Sequence, residues 1–370
     1  MDHTLDLTAF SLRFGNTQDL SLLSGGLEET HEAPPLREIP GYRLGQLIGK
    51  GAYGAIWSGI HLATGSRVAV KVLRAGPRQG LGREVKRILD VAEHPYVVPL
   101  VDAGLEHDPA FLVTPLMQGS LGSYMRQIEG PQEVHSDLVR LWMRQVAGAL
   151  DYIHQKGVVH CDLKPDNILL DDQGNCRVCD FGQAALHNDG EASLGTYFFM
   201  PPQQAMTAEA QVANQWDIYA LGATFYYLTT GQYPRCNPEL KRALAGEPDP
   251  RQRLALYAQS LLQIPLTPCL QLNPQLAPDL ARIIETCLEL QPSRRFYSAA
   301  EVRQALTQVA VGSASRPSSL YLRSLGSWLG STSLLRLIGG QAVSLPELNA
   351  LLVGGLAVVF PLATLLMLSL

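Results

Sequence analysis

The sequence predicts an α+β fold in which a β-rich lobe is followed by an α-rich lobe, with a cleft between them. Three observations carry this prediction. Short β-type runs separated by glycine turns fill residues 42–72, long segments with helical spacing follow Gly119, and no repeat with a period of about 20 to 50 residues is visible. Strands and helices that are segregated along a chain in this way are typical of two packed lobes, and the cleft is the expected place for a site.

Length and composition narrow the class of protein. The 370 residues suffice for two or three compact units at about 150 residues each. Lys and Arg number 29 against 34 Asp and Glu, and the net charge of −5 argues against nucleic acid as a partner. Six cysteines are too few for a disulfide framework in a chain of this length, and no secretory signal is visible, so we expect the folded lobes to lie in a reducing cytosol.

The first lobe is predicted over residues 42–117. The preceding segment, 1–41, mixes small and polar residues without a sustained period and is predicted to be flexible. Three β-type runs between Tyr42 and Val72 indicate an antiparallel meander. One helix and two further strands are predicted at 82–92, 97–104 and 110–117.

The second lobe is predicted over residues 118–310 and is mainly helical. An amphipathic helix begins at Ser136, a residue type that caps helix N-termini, and ends before Gly157. Cys176 and Cys179 form the closest cysteine pair, but positions three apart in a β-type run point to opposite faces, which argues against a shared metal. The other predicted elements are strands at 167–170 and 176–180 and helices at 216–231 and 277–290.

Beyond the second lobe the composition changes twice. Residues 311–347 form a linker rich in Ser, Gly and Leu whose basic charge lies on Arg316, Arg323 and Arg336. Residues 348–370 carry no charge and include 13 Leu, Val or Phe, which contribute about −4 to −8 kcal/mol to membrane insertion. As a helix this segment would reach about 35 Å, enough for a bilayer core of about 30 Å.

The composition of this segment therefore predicts a transmembrane helix. A buried helix of the globule is the alternative, but a soluble helix normally has a polar face, which this segment lacks. Because the segment ends the chain and the nearby basic residues precede it, we expect a single-pass C-terminal anchor with the larger part of the chain in the cytoplasm.

A glycine-rich run joins the first two predicted strands, with Gly49, Gly51 and Gly54 at G-x-G-x-x-G spacing. In a hairpin this spacing favours a backbone flap over phosphates, although an ordinary glycine-rich hairpin has the same pattern. Lys71 follows in an alternating strand and would project into the cleft, where a cation held near phosphates needs an acid to orient it. Two acids are available in the predicted helix and just after it, Glu84 as the natural partner and Glu93 as the alternative.

The most informative run is His160-Cys161-Asp162-Leu163-Lys164-Pro165-Asp166-Asn167, followed by Asp180-Phe181-Gly182. It supplies a carboxylate that can accept or orient a hydroxyl proton, a lysine two residues on, an amide oxygen five residues on, and a second carboxylate for Mg²⁺. Phosphoryl transfer requires these groups. The sequence therefore predicts a phosphoryl-transfer site in the cleft.

With these motifs in this order, the chain resembles the eukaryotic-type protein kinase family over residues 42–309, and it is most similar to bacterial serine/threonine kinases. The resemblance implies a two-lobed protein-kinase-like fold that uses ATP and Mg²⁺, with Mn²⁺ as an alternative ion. It implies that Asp162 is the catalytic base, that Lys164 steadies the γ-phosphate, and that Asn167 and Asp180 bind the metal.

The same resemblance implies where ATP binds. Lys71 would contact the α- and β-phosphates, and Glu84 would hold Lys71 in place. Thr114 would stand at the gatekeeper position, with the hinge directly after it. The residues that the resemblance places around the nucleotide are Ile48, Gly49, Gly51, Gly54, Ile56, Lys71, Glu84, Thr114, Leu116 and Met117.

Downstream positions bear on the substrate. Residues 195–203 look like the end of an activation segment, and Asp217 looks like the helix acid that braces the catalytic loop. Small-molecule phosphotransferases with related cores generally lack such a peptide-docking segment. The resemblance therefore implies protein substrates.

Two positions depart from the family pattern. Cys161 stands where the family often has the arginine that reads a phosphate on the activation segment, which argues against switching by phosphorylation there. Ser193 and Thr196 are nevertheless candidate autophosphorylation sites. Gln203 replaces the usual glutamate that pairs with Arg295, so we expect a neutral-to-charged hydrogen bond that costs stability rather than chemistry.

The expected function is that of a serine/threonine protein kinase anchored in a membrane, which for a bacterial-type kinase is the inner membrane. Tethering would favour self-association and autophosphorylation in trans. An inactive pseudokinase that serves as a membrane scaffold and a kinase of small molecules are the alternatives. Nucleotide binding without turnover would favour the first, and transfer to metabolites rather than peptides would favour the second.

Overall fold

The structure, a computed structural model, describes residues 39–51, 54–73, 89–181, 197–206 and 213–312. All of them belong to one compact unit, Met1–Pro317. The predicted linker 311–347, except its first two residues, and the predicted transmembrane helix 348–370 lie outside these ranges, as does most of the predicted flexible segment. Within the described ranges, no helix combines the length and the apolar character that a bilayer crossing requires.

The first lobe is a five-stranded antiparallel sheet, as the sequence predicts. Its strand order is β1-β2-β3-β5-β4, so β3 lies at the centre. Val68, Val70 and Val72 alternate along β3 and bury one face of the sheet, which leaves Lys71 on the opposite face. The strands are β1 (Tyr42–Gly51), β2 (Gly54–His61), β3 (Arg67–Leu73), β4 (Asp102–Gly104) and β5 (Phe111–Pro115).

The core of this lobe begins before β1. Ile39 is 4% exposed and packs in one cluster with Tyr42, Val70 and Phe111. The N–H of Tyr42 donates to the carbonyl of Ile39 at 3.0 Å. Residues 39–41 were included in the predicted flexible segment, whereas the structure fixes Ile39 against the sheet because its side chain completes this apolar cluster.

The fourth strand is shorter than the predicted run 97–104. Val97 makes an isolated parallel bridge with Val178 of the second lobe, and the N–H of Val98 donates to the carbonyl of Val178 at 2.9 Å. Pro99 has no N–H to offer a ladder. This segment therefore joins the two lobes, and only its end, Asp102–Gly104, enters the sheet. Of the predicted helix 82–92, the structure describes residues 89–92, of which 89–91 are helical.

The second lobe is mainly helical, as predicted, and carries a small sheet at the cleft. The sheet has the order β6-β7-β8. Its strands are β6 (Gly119–Ser120), β7 (Ile168–Leu170) and β8 (Cys176–Val178). The helices of the described chain are α1 (Leu121–Met125), α2 (Ser136–Gln155), α3 (Pro202–Met206), α4 (Asn214–Thr230), α5 (Pro238–Gly246), α6 (Pro250–Gln263), α7 (Cys269–Leu272), α8 (Pro278–Cys287) and α9 (Ala299–Gly312).

Helix α2 starts one residue away from the predicted cap. His135 is the N-cap, and its Nδ1 accepts a hydrogen bond from the N–H of Asp137 at 3.3 Å. Ser136 is the first helical residue, and its hydroxyl instead accepts from the N–H of Ala277 at 3.0 Å. The prediction of Ser136 as the cap is therefore wrong, because a tertiary contact uses its side chain. Gly157 follows the helix end with a left-handed φ of 72°, as expected for a stop signal.

Helix α2 also supports the cleft sheet. The indole N–H of Trp142 donates to the carbonyl of Gly174 at 2.9 Å. The side-chain oxygen of Gln145 accepts from the N–H of Cys176 at 2.9 Å. These bonds fix the β7–β8 turn on a buried helix, which holds this end of the small sheet in place.

Candidate active site

The strand register brings the glycine-rich hairpin next to Lys71. Gly49 pairs with Ile56, and Ile56 pairs with Lys71, so the three lie in one row across β1, β2 and β3. Cross-strand partners share a face of a sheet, and this face is opposite the buried valines. Gly51 and Gly54 pair at the hairpin end. The structure therefore places the predicted flap and the predicted cation on one side of the sheet.

The glycines of the hairpin have different roles. A Cβ at Gly54 would lie 2.1 Å from the carbonyl oxygen of Val72, so only glycine permits β2 to pack on β3 at this point. A Cβ at Gly49 would meet nothing nearer than 3.5 Å, the side chain of Ile56. Gly49 is thus not required by packing, which is consistent with close approach of a ligand.

The predicted catalytic loop, residues 160–167, surrounds the carboxylate of Asp162, which is 8% exposed. Its Oδ2 accepts hydrogen bonds from Lys164 Nζ at 2.9 Å and from Asn167 Nδ2 at 3.1 Å. Asn167 Nδ2 also donates to the carbonyl of Asp162 at 2.8 Å. The other oxygen, Oδ1, is buried and has no hydrogen-bond partner among the described residues. Burying a carboxylate oxygen without a hydrogen-bond donor costs free energy. This oxygen is therefore placed to accept a hydrogen bond from a ligand.

Asp180 meets Lys71 across the cleft, although the two are 109 residues apart in sequence. Lys71 Nζ lies 3.4 Å from Asp180 Oδ1. Burial raises the pKa of Asp180, but the nearby positive charges, above all that of Lys71 and also that of Lys164, outweigh burial and hold the pKa below its ordinary value. Asp180 is therefore a carboxylate at neutral pH. Its backbone has a left-handed φ of 64°, which is uncommon for a non-glycine residue.

Asn167 and Asp180 fit the donor set of a divalent cation. The N–H of Cys179 donates to the carbonyl of Asn167 at 3.0 Å, which ties the two segments together. Because Asn167 uses Nδ2 inside the loop, the atom that it can offer a cation is Oδ1. Among the described residues no cluster of three or more His, Cys, Asp or Glu side chains could hold a metal by itself. One carboxylate and one amide suit a cation that takes its remaining ligands from phosphates and water.

Asp217 braces the catalytic loop from α4, as predicted. Its side chain is fully buried. Oδ2 accepts from the N–H of His160 at 2.8 Å, and Oδ1 accepts from the N–H of Cys161 at 2.9 Å. His154 Nε2 also bonds Oδ2 at 2.8 Å, a contact that the sequence analysis missed. Burial raises the pKa of Asp217, but the hydrogen bond and charge of His154, with the bond from His160, outweigh burial and hold it below its ordinary value.

His160 links Asp162 to the Asp180 segment. Its Nδ1 accepts from the N–H of Asp162 at 3.3 Å, and its Nε2 bonds the carbonyl of Cys179 at 2.9 Å. A carbonyl can only accept, so Nε2 carries the proton. The ring also packs 5.1 Å from that of Phe181. His160 stands in the motif from which the site was predicted, but no feature of the sequence indicates this role.

Cys161 adopts a left-handed backbone conformation with φ 65°. Its N–H is held by Asp217, and its carbonyl accepts from Gln204 Nε2 at 2.9 Å. Gln204 belongs to α3 and is 8% exposed. The sequence analysis also missed this contact, because no spacing pattern links residues that are 43 positions apart.

The predicted adenine-binding residues lie where the chain crosses from one sheet to the other. Thr114 pairs with Ala69 at the end of β5. The N–H of Leu116 donates to the carbonyl of Arg67 at 3.2 Å, and two residues later the N–H of Gln118 donates to Leu170 at 2.9 Å. Thr114, Leu116 and Met117 are half-buried there, whereas Ile48 on β1 is exposed and Ile56 on β2 is half-buried.

Gln203 bonds Arg295, as predicted. Arg295 Nη2 donates to Gln203 Oε1 at 2.8 Å, and Gln203 Nε2 donates to the carbonyl of Leu290 at 2.8 Å. Arg295 is 6% exposed and lies over the ring of Tyr219 at 5.0 Å. Burial lowers the pKa of Arg295 to about 10. The expected neutral-to-charged hydrogen bond is therefore confirmed.

Some predicted residues lie outside the described part of the chain. These are Glu84, Gly182, Ser193 and Thr196. Glu93, the alternative acid for Lys71, is exposed just after the helical residues 89–91.

Comparison of the sequence with known proteins leads to the same family that the motifs indicate. A family model described as protein kinase domain matches residues 42–307. CBL-interacting protein kinase 25 of Oryza sativa subsp. japonica is 31% identical over 283 residues, which cover 72% of this chain and 51% of that protein. The CBL-interacting serine/threonine-protein kinase 5 of Arabidopsis thaliana is 27% identical over 71% of this chain and 57% of its own length.

A fungal relative extends the set. The carbon catabolite-derepressing protein kinase of Candida albicans is 29% identical over 210 residues, 55% of this chain and 33% of that protein. The chain spans about half the length of the two CBL-interacting kinases and a third of this one.

Proposed function

The chain belongs to the protein kinase family, and on this basis we propose that it transfers the γ-phosphate of ATP to serine and threonine hydroxyls of proteins. A protein kinase domain uses ATP and a divalent metal in general. The observation that carries the proposal is the carboxylate of Asp162, which has one oxygen held by Lys164 and Asn167 and the other buried without a partner among the described residues.

In the proposed reaction, Asp162 Oδ1 accepts the proton of the substrate hydroxyl. The hydroxyl oxygen forms a bond to the γ-phosphorus, the bond from this phosphorus to the β,γ-bridging oxygen breaks, and ADP leaves with that electron pair. Lys164, which lies 2.9 Å from Asp162 Oδ2, balances negative charge on the transferred group.

The nucleotide would lie between the glycine hairpin and the second lobe. Lys71 would hold the α- and β-phosphates, and Glu84 would orient it. Ile48, Gly49, Gly51, Gly54, Ile56, Thr114, Leu116 and Met117 would complete this site.

Asn167 and Asp180 would hold the divalent ion, which when bound neutralises phosphate charge. Mg²⁺ suits their hard oxygen donors, and Mn²⁺ is the alternative.

The proposal of protein substrates rests on the segment beside the catalytic loop. Its residues 197–206 are packed on α6, where the hydroxyl of Tyr257 donates to the carbonyl of Met200 at 2.9 Å. The rings of Tyr197 and Phe198 lie in the same core cluster. This packing supports a fixed surface on which a peptide could bind next to Asp162. The choice of serine and threonine rests on Lys164 in its motif and on the similarity to the Arabidopsis relative, which is a serine/threonine-protein kinase by name.

We also propose that residues 348–370 span a membrane and that the kinase lobes lie on its cytoplasmic side, at the inner membrane of a bacterium. The support is the 23-residue stretch without charge and the preceding Arg316, Arg323 and Arg336. Such tethering raises the local concentration of one copy around another, which favours autophosphorylation in trans. Phosphate incorporation that rises with the density of the chain in vesicles would support this, and a rate per molecule independent of density would contradict it.

The kinase proposal is tested with the purified full-length chain, ATP, Mg²⁺ and a library of peptides and metabolites. Wild type should phosphorylate Ser or Thr peptides, and Asp162→Asn should lower turnover by at least about 100-fold with nucleotide affinity nearly unchanged. Asp172→Asn, in an exposed turn, is the matched control and should behave as wild type. Nucleotide binding without transfer by wild type would instead indicate a scaffold, and transfer to metabolites alone a small-molecule kinase.

A further inference from the structure

We propose that Gln204 is a positioning residue for the catalytic loop. Its side-chain amide holds the carbonyl of Cys161 and thereby keeps the loop in the turn that aims Asp162. The inference rests on the proposed kinase function and extends it to a residue outside the motifs that predicted the site.

The backbone at Cys161 explains why the loop needs such a residue. A φ of 65° is a left-handed conformation that non-glycine residues disfavour, so the surroundings must hold it. Asp217 fixes the N–H of Cys161 at 2.9 Å from α4. Gln204 fixes its carbonyl at 2.9 Å from α3. The strained residue is therefore held from two separate helices.

The bond from Gln204 acts on the peptide unit that carries Asp162. This peptide plane joins the carbonyl of Cys161 to the N–H of Asp162. Gln204 holds the carbonyl end, and His160 Nδ1 accepts from the N–H end at 3.3 Å. Rotation of this plane would turn the Asp162 side chain, whose Oδ1 has no hydrogen-bond partner among the residues that the structure describes. A small misorientation of a catalytic group costs rate even when binding is intact.

The chemistry of this bond also bears on regulation. The donor is a neutral amide and the acceptor is a backbone carbonyl, so the bond needs no phosphate group nearby. It reaches from the end of the activation segment to the residue that replaces the family's phosphate-reading arginine. The bond itself therefore does not depend on phosphorylation of the segment.

The test compares two variants of the full-length chain that lose the same kind of bond. Gln204→Met keeps the side-chain volume but cannot donate. Gln215→Met is the matched control, because Gln215 Nε2 donates to the carbonyl of Pro292 at 3.1 Å, away from the catalytic loop. Gln204→Met should lower kcat for a peptide about 10- to 100-fold with the KM for ATP within about twofold, whereas Gln215→Met should keep both.

Rescue separates positioning from a general loss of structure. Asn tolerates the left-handed region better than most residues, so Cys161→Asn should restore kcat at least about threefold in the Gln204→Met background. If Gln204→Met folds poorly, Gln204→Glu takes its place in the test. This variant keeps the shape of the side chain but replaces the donor with an acceptor, and it should lower kcat in the same way. Equal kcat values for Gln204→Met and Gln215→Met would overturn the proposal.

A second readout does not depend on activity. Amide hydrogen exchange at Cys161 and Asp162 should be faster in Gln204→Met than in Gln215→Met, since both N–H groups belong to the turn that Gln204 holds. Equal exchange in the two variants would overturn the proposal even if wild type transfers no phosphate. An inactive wild type with the expected exchange difference would instead refute the kinase function and leave the role of Gln204 supported.

Discussion

At the scale of single residues, Asp217 makes the stability of the protein depend on pH. Its pKa in the folded chain lies below the ordinary 3.8, so the unfolded chain binds this proton first as pH falls. The stabilisation is therefore complete well above pH 4 and is lost as pH falls through the ordinary pKa toward the folded one. Asp217 also accepts the N–H groups of His160 and Cys161, so this loss reaches the catalytic loop.

We expect Asp217→Asn to lower the free energy of unfolding at pH 7 by about 2–3 kcal/mol, because hydrogen bonds to a buried charge are lost. The difference from wild type should shrink between about pH 5 and pH 3. Urea unfolding at several pH values measures it, with Asp172→Asn as the exposed control. A difference that stays constant with pH would contradict the depressed pKa.

A second prediction concerns the effect of Gln203 on the stability of the protein. In Gln203→Glu the hydrogen bond from Arg295, in which only the guanidinium is charged, becomes an ion pair. At this partly buried site the attraction of the two charges should outweigh the lost bond from Nε2 to the carbonyl of Leu290, which is worth about 1 kcal/mol. We expect a net gain of about 1 kcal/mol and a Tm higher by about 2–4 °C, with kcat unchanged. Thermal unfolding checks this, and Gln203→Met should lower Tm. A lower Tm for Gln203→Glu would show that the Leu290 contact outweighs the charge.

The residues of the site divide by how they can be predicted. Asp162, Lys164, Asn167 and Asp180 lie in two short motifs, so their spacing carries the chemistry. The contacts that orient these residues follow no such spacing. Gln204 is 43 residues from Cys161, and only the packing of α3 brings them together. A sequence can reveal which groups a reaction needs before it reveals what holds them.

At the scale of elements, the β1–β2 hairpin depends on one glycine for its packing. A Cβ at Gly54 would lie 2.1 Å from the carbonyl of Val72, whereas one at Gly49 would have 3.5 Å of clearance. We expect Gly54→Ala to lower the free energy of unfolding by about 1–3 kcal/mol, because β2 must move away from β3. Gly49→Ala should change it by less than about 1 kcal/mol.

Thermal unfolding of the two variants measures the difference. The comparison concerns stability alone, since both glycines belong to the proposed nucleotide site. Equal Tm values for Gly54→Ala and Gly49→Ala would contradict the close approach of β2 to β3.

Element types could be predicted more reliably than element ends. Alternation of valines identified β3, and apolar spacing identified α2 and α4. The cap of α2 was misplaced because the Ser136 hydroxyl bonds Ala277, which lies 141 residues away. The fourth strand was predicted too long because Val97 pairs with the other lobe instead of its own sheet. In both cases a long-range contact overrides a local preference.

At the scale of the whole molecule, the two lobes meet through the strand bridge of Val97 and the contact of Lys71 with Asp180. The proposed membrane span lies beyond these lobes. We expect deletion of residues 348–370 to move the protein from the membrane to the soluble fraction with its kcat on peptides intact, because no described site residue lies there.

Fractionation of cells followed by a peptide assay measures this. Deletion of residues 1–38 is the control and should leave the protein in the membrane fraction. Recovery of the full-length chain from the soluble fraction without detergent would contradict the membrane span.

The burial of Ile39 has a practical consequence for anyone who cuts the kinase lobes out of the chain. The family match begins at residue 42, and a fragment trimmed to that point would lack the side chain that covers Tyr42, Val70 and Phe111. The open apolar surface would cost about 1.5–3 kcal/mol and invite aggregation. A fragment that starts a few residues earlier should express and crystallise better, and limited proteolysis should stop short of Ile39.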